Sequence, residues 1–141
     1  MMLTDNKALI HRWFDEVWNN KREAAIRDIL APDVIIHGLG ESSGDVMSGP
    51  ESFVQLWKKF VSAFPNIQVT VDRVLAEEDY VLALCSVRAN HTGRGFGIEP
   101  TNGPIFFTGT VLIRVKDGKF CEGWNHFDFL SLYQQLGIVA M

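Results

Sequence analysis

The dipeptide Asp117-Gly118 lies between two runs of alternating apolar and polar residues and strongly constrains the fold. Asp-Gly favours the two positive φ angles of a type I′ turn, which joins two antiparallel strands. The turn also sets the register of the hairpin, because pairing proceeds outward from its flanking residues. The predicted pairs are Lys116 with Lys119, Val115 with Phe120, Ile113 with Glu122, Val111 with Trp124, Gly109 with His126 and Phe107 with Asp128.

This register places Trp124, His126 and Asp128 on one face of the second strand, since alternate side chains of a strand share a face. That face is the more apolar one and is predicted to turn inward. An ionised carboxylate among apolar side chains is costly unless it is paired, so such a position is a candidate for acid–base chemistry. The alternative is that Asp128 caps a helix predicted at 129–136. A β-bulge in the hairpin would change which of these side chains face inward.

Three amphipathic helices are predicted ahead of most of the strands, at about 5–18, about 23–31 and 50–64. Apart from the strand after the turn, strands are predicted at 34–37, 67–76, 80 to about 91, and 105–116. Helices followed by a curved antiparallel sheet that wraps around them indicate an α+β roll. No linker, repeat or low-complexity segment divides the chain, so we expect one domain over residues 1–141.

Composition argues against several kinds of partner. The chain has 141 residues, a net charge of −4 and no cluster of Lys or Arg, which argues against nucleic acid or an anionic membrane. No apolar run approaches the roughly 18 residues of a membrane span. The N-terminal segment carries charges where a signal peptide needs an apolar stretch. Cys85 and Cys121 lack metal-ligand spacing and are expected to be buried, reduced thiols. We therefore expect a cytoplasmic protein.

His37, Arg88 and His91 lie at or near the ends of apolar strands. A lone His in such a place is more often structural than catalytic, and an Arg beside a strand is usually a surface group. Together with the second strand of the hairpin, they would meet at a pocket mouth if one curved sheet carried them all. No HxH or HxxxH spacing supports a metal site. The small residues of segment 38–49 favour a rim or a dimer contact.

Several short motifs spread over most of the chain point to a known family. They are His91-Thr92-Gly93, Phe96-Gly97-Ile98, Pro100-Thr101-Asn102-Gly103, Asp117-Gly118-Lys119, Glu122-x-Trp124, Asp128 and Gln135-Leu136-Gly137, with Asp33 to His37 and Ala63-Phe64-Pro65 upstream. This set resembles the SnoaL-like polyketide cyclases and ester cyclases of the nuclear transport factor 2-like superfamily. Two positions depart from the family pattern. Asn125 follows Trp124 where many relatives have an acidic residue, and Ala89-Asn90 replaces a common glycine.

The resemblance implies a conical α+β barrel with a ligand cavity, usually assembled as a homodimer through the outer face of the sheet. It also implies that an aspartate on the last strands acts as general acid and base in an intramolecular aldol closure, without metal or cofactor. Asp128 is the matching position, and His91 matches the family's histidine. The implied partner is therefore a small hydrophobic molecule.

The expected function is that of a cofactor-independent enzyme acting on a hydrophobic, carbonyl-bearing small molecule. Asp128 would remove a proton beside the carbonyl, and His91 or His126 would stabilise the enolate oxygen or return the proton. The specific reaction expected is cyclisation of a polyketide-like chain, and the related alternatives are isomerisation and hydrolysis. The residues expected to bind the substrate are His37, Arg88, Trp124, Phe107, Val111 and Trp57.

Two further classes of function stay open, because this superfold also hosts proteins without catalysis. One is a binding domain whose cavity holds a hydrophobic ligand that Asp128 and the histidines only orient. The other is a dimerisation module with a closed core. A pH-dependent activity would distinguish the enzyme from the binding domain, and a cavity beside Asp128 would argue against the dimerisation module.

Overall fold

A computed structural model describes residues 3–39 and 46–140 of the chain. Its helices are α1 (Leu3–Trp13), continued by a π-helical segment at Phe14–Asn19, α2 (Glu23–Ile29), α3 (Pro50–Ala63) and α4 (Phe129–Gln135). Its strands are β1 (Leu30–His37), β2 (Val46–Ser48), β3 (Gln68–Glu77), β4 (Tyr80–Asn90), β5 (Pro104–Lys116) and β6 (Lys119–Phe127). Residues 40–45, within the segment predicted as a rim or a dimer contact, lie outside the described residues.

The three predicted N-terminal helices are confirmed, and prolines account for both ends of α3. Pro50 occupies the first turn, where a missing N–H leaves no hydrogen bond unmade. Phe64 precedes Pro65 and is excluded from helical geometry by the proline ring, so α3 ends at Ala63. The second helix is shorter than predicted, since β1 already begins at Leu30. No helix within the described residues is long and apolar enough to cross a membrane.

One curved, unclosed sheet carries the strands in the order β2-β1-β6-β5-β4-β3. Neighbouring strands are antiparallel except β1 and β6, which run parallel. The helices α1 to α3 contact the sheet from its inner face, and the core fills the space between them. Phe64, Phe120 and Ile26 are among the largest fully buried side chains there. The predicted α+β fold, with three helices packed on a curved antiparallel sheet, is confirmed, and the parallel pair of β1 and β6 is the exception to the predicted strand directions.

The turn that joins β5 and β6 forms as predicted, with φ values of 53° at Asp117 and 75° at Gly118. The two pairs next to the turn are confirmed, Lys116 with Lys119 and Val115 with Phe120. Beyond them the register shifts, because Cys121 is an extra residue on β6. The remaining predicted pairs are therefore wrong. The observed pairs are Arg114 with Glu122, Ile113 with Gly123, Leu112 with Trp124, Val111 with Asn125, Thr110 with His126 and Gly109 with Phe127.

The bulge at Cys121 exchanges the two faces of β6. Since side chains alternate along a strand, one extra residue sends every later side chain to the opposite face. Gly123, Asn125 and Phe127 therefore face the helices, whereas Trp124 and His126 face outward. The prediction that the latter two lie on the inner face is wrong for this reason.

Candidate active site

A cavity of about 80 Å³ lies between the helices and the inner face of the sheet. Among the described residues, every side chain that lines it is aliphatic or aromatic except the amide of Asn125, and Gly123 contributes only backbone. Phe107 and Val111, two of the residues predicted to bind substrate, are in this lining and are almost fully buried. Because one water needs at least about 10–15 Å³ of such space, the cavity has room for a few waters or for part of an apolar ligand.

An open groove of about 680 Å³ lies on the outer face of the sheet. Its polar wall includes Asp72, Thr108, Thr110, His126 and Asp128. The groove thus brings together two of the three residues predicted to be catalytic, because His126 lies on the outward face of β6 and Asp128 follows directly after the end of that strand.

The cavity and the groove share two lining residues, Asn125 and Phe127. Pairing of β1 with β6 ends at His37 and Trp124. Beyond that level no further residue of β6 pairs with β1 within the described chain. Asn125 and Phe127 therefore lie between the two spaces, at this end of β6.

Asp128 caps α4 and is exposed to solvent. The backbone N–H of Ser131 donates to its Oδ1 at 3.0 Å, and its own backbone N–H donates to the carbonyl of Thr108 at 2.9 Å. The helix cap that was the alternative prediction for Asp128 is therefore present. The expectation of a buried carboxylate opposite Phe107 is wrong. The Oδ2 atom makes no hydrogen bond within the described residues and stays available to a ligand.

His91 is fully buried at the end of β4, against the ring of Phe64. The backbone N–H of Thr101 donates to its Nδ1 at 3.1 Å, which assigns the ring proton to Nε2. Nε2 has no hydrogen-bond partner in the described part of the chain. The backbone N–H of His91 donates to the carbonyl of Gly103, just before β5 and five residues from the Thr108 contact of Asp128. At about 3.3 Å per residue this is about 16 Å, so the predicted meeting with Asp128 at one mouth is wrong.

His37, Trp124, Glu122 and Arg114 form a cluster on the outer face. The rings of His37 and Trp124 stack with centroids 5.3 Å apart and planes at 8°. His37 Nε2 lies 2.7 Å from Glu122 Oε2, and Arg114 donates to Glu122 Oε1 at 3.4 Å. These bonds, the one to His37 first, hold the pKa of Glu122 below its ordinary value. His37 and Trp124 were predicted to bind substrate, but neither lines the cavity or the groove.

The other two residues predicted to bind substrate, Arg88 and Trp57, also lie outside both spaces. Arg88 is on the outer face with its guanidinium 4.7 Å from the centre of the Phe106 ring. Trp57 is buried behind the cavity and donates its indole N–H to the carbonyl of Val17 at 2.9 Å. Both have structural contacts that account for their positions.

Sequence reasoning missed the inward position of Asn125 and the aromatic walls that Trp13, Phe127 and Phe129 contribute to the cavity. The signal for the bulge was weak, since Cys121 continues an apolar, strand-like run. In the described residues, no three His, Cys, Asp or Glu side chains are grouped as a metal site would require.

The model of the SnoaL-like polyketide cyclase family matches residues 8–136. The chain belongs to this family. It is 30% identical over 112 residues to the nogalonic acid methyl ester cyclase of Streptomyces nogalater, covering 78% of each chain. The apolar cavity is thus found in a cyclase-like protein.

Two solved structures of similar proteins support the same fold. AclR from Streptomyces galilaeus, to which a hydroxylase activity has been ascribed, superposes with a TM-score of 0.87 at 27% identity, over 99% of this chain and 85% of that one. IdmH from Streptomyces antibioticus, to which a polyketide cyclase activity has been ascribed, gives 0.79 at 28% identity, over 93% and 97%. The fold is shared across more than one ascribed activity.

Proposed function

We propose that this SnoaL-like protein is a cyclase whose substrate is a hydrophobic small molecule bearing carbonyl groups. The observation that carries the proposal is the cavity, which is apolar around its described lining apart from Gly123 and Asn125. Burial of a ring system there would contribute about 25 cal/mol per Å² of apolar surface. The carbonyl-bearing end of the substrate would extend past Asn125 and Phe127 into the groove.

In this proposal Asp128 is the general base. Its free Oδ2 accepts a proton from the carbon beside one carbonyl, and that carbon then attacks a second carbonyl carbon. The oxygen of the second carbonyl takes up a proton, for which His126 on the same wall of the groove is the donor. General acid–base catalysis contributes about 10²–10⁴-fold. His91 lies beside the start of β5, too far from Asp128 to exchange a proton with it, so its predicted contact with the substrate is not part of this scheme.

The test begins with a thermal-shift screen of hydrophobic carbonyl compounds, since a ligand at a hundred times its Kd adds about 2.7 kcal/mol of stability. Turnover of the hits is then compared between the wild type and Asp128→Asn, which should lose about 10²-fold or more. Asp79→Asn, at an exposed turn outside both spaces, is the matched control. Full activity of folded Asp128→Asn would exclude Asp128 as the base.

A second candidate is a binding domain without catalysis. It is favoured by one observation: the described lining of the cavity contains no titratable side chain. Such a protein would bind the same hits with an affinity almost independent of pH and would not convert them. An enzyme that uses Asp128 would lose turnover through an ionisation. The dimerisation module with a closed core does not account for the cavity.

We also propose that two copies associate through the outer face of the sheet. Leu75, Tyr80, Leu84 and Phe106 expose between 38% and 55% of their surface there, and exposed apolar patches often mark interaction sites. Since Leu84 borders the groove, the second copy would lie beside the proposed site. Light scattering of the wild type and of Leu75→Lys tests this, and a wild type that stays monomeric at high concentration contradicts it.

A further inference from the structure

Among the described side chains of the cavity wall, Asn125 alone carries a hydrogen-bond acceptor, on the strand face that turns toward the helices. Its Nδ2 donates to the backbone carbonyl of His37 at 3.0 Å. This bond fixes the orientation of the amide, since only the nitrogen can donate to a carbonyl.

The Oδ1 atom of Asn125 is consequently presented as an acceptor. It makes no hydrogen bond to any described residue, and it is not fully buried, in contrast to the unpartnered Asn6 Oδ1 and His91 Nε2. A ligand that fills the apolar cavity would displace water from this oxygen. An acceptor desolvated without a partner costs about 1–3 kcal/mol, so an apolar ligand that lacks a donor is penalised.

We infer that Asn125 Oδ1 accepts a hydrogen bond from a hydroxyl group of an otherwise apolar ring ligand, and that Asn125 selects such ligands over fully apolar ones. The inference rests on the proposed function only in that a ligand occupies the cavity. An amide does not titrate between pH 4 and 9 and takes no proton from the hydroxyl. Asn125 is therefore a specificity-determining residue, and the selection does not vary with pH in this range.

The experiment compares two probes of similar size, 2-naphthol and 2-methylnaphthalene, by isothermal titration calorimetry. The ratio of their Kd values is measured for the wild type and for Asn125→Leu. Using this ratio cancels the separate hydration costs of the probes. We expect the preference for 2-naphthol to fall by about two- to twelve-fold in the variant, the range of one neutral hydrogen bond. Equal ratios in the two folded proteins would overturn the inference.

Asn20→Leu is the matched control. Asn20 also donates its Nδ2 to a backbone carbonyl, that of Asp15 at 2.8 Å, but it is exposed and does not line the cavity. This variant should keep the wild-type ratio. A ratio that falls equally in Asn20→Leu would show that lost stability, and not ligand contact, is the cause.

A second measurement covers the case in which Asn125→Leu does not fold. In ¹⁵N spectra of the wild type, 2-naphthol should shift the side-chain amide of Asn125 more than 2-methylnaphthalene does. Equal shifts, or no binding of either probe, would overturn the inference. Failure of the proposed cyclase is distinguishable, because it leaves the probe preference intact while carbonyl compounds bind without turnover.

Discussion

Asn125 lies opposite Val111 in the hairpin of β5 and β6, and both side chains face the cavity. This pairing exists because Cys121 adds one residue to β6. Without the extra residue, Val111 would face Trp124, and the inner wall would receive an indole, an imidazole and a carboxylate. The bulge therefore sets the chemistry of the cavity, by excluding these groups and admitting one amide.

Truncation of Phe107 is expected to destabilise the protein more than truncation of its neighbour Phe106. Phe107 is 5% exposed and lines the cavity, whereas Phe106 is 45% exposed on the outer face. Phe107→Ala should lower the free energy of unfolding by about 3–5 kcal/mol. Phe106→Ala, the matched control, should cost about 1 kcal/mol or less. Urea denaturation measures both, and equal losses would contradict the inward position of Phe107.

Gly109→Ala is expected to disturb the wall shared by the cavity and the groove. A Cβ at Gly109 would lie 2.2 Å from Cδ1 of Phe127 and 2.8 Å from its Cα. Phe127 must therefore move, at a cost of about 1–3 kcal/mol. At Gly103 a Cβ would meet only Thr101 Oγ1, at 3.9 Å, so Gly103→Ala serves as the control. Equal melting temperatures of the two variants would show that Phe127 does not pack as described.

The capping bond of Asp128 predicts a difference between two substitutions at this position. Asp128→Ala removes the acceptor for the Ser131 N–H and should cost about 1 kcal/mol, whereas Asn keeps an oxygen there and should cost little. Thermal denaturation of both variants measures the difference. Both substitutions should lose turnover, but only Asp128→Ala should lose stability, so the pair separates the effect on catalysis from the effect on folding. An Asp128→Ala variant as stable as the wild type would argue against the cap.

Glu122 is expected to contribute to the acid sensitivity of the fold. Its hydrogen bond to His37, and then that to Arg114, holds its pKa below the ordinary 4.5. A carboxyl group with a lower pKa in the folded state stabilises the fold above its unfolded pKa, and that contribution is lost as the pH falls through the folded value. Glu122→Gln should therefore flatten the fall in unfolding free energy below pH 4.5.

The control for this profile is Glu99→Gln, which removes an exposed carboxylate paired with Arg94. Unfolding free energies at pH 7 and at several lower values, measured in urea, give the comparison. Wild-type and Glu122→Gln curves that run parallel below pH 4.5 would show that the His37 and Arg114 contacts do not stabilise the carboxylate.

Local patterns in the sequence predicted the helices, the turn at Asp117-Gly118 and every strand named above except β2, which lies in a segment read as a loop. These features depend on residues close in the chain: the proline at the start of α3, the apolar spacing of α1, and a dipeptide that tolerates positive φ. The motifs around His91 and at the end of β6 also identified the SnoaL-like family, which the family match confirmed. His37, Arg88, Phe107, Val111, Trp124 and His126 accordingly lie on the strands predicted to carry them.

The faces of those strands were not predictable in the same way. A bulge depends on how two whole strands fit the layers around them, and a single inserted residue inverts every later side chain. The same limit applied to His91, whose strand position was correct but whose ring is buried beneath Phe64 and held by Thr101. Spacing along one strand gave no distance between Asp128 and a residue on another strand.

The sequence alone thus determines which helices and strands form and to which family the chain belongs, since both depend on short stretches of residues. Which side chains line the cavity was decided by packing between residues that are distant in the chain. The β6 strand accommodates Cys121 by bulging, and this turns Asn125 and Phe127 toward the helices while His126 turns to the outer groove and Asp128 caps α4 at its rim. Contacts between distant residues select that register, because burying Phe127 beside Phe107 and Phe129 removes more apolar surface from water than burying His126 would.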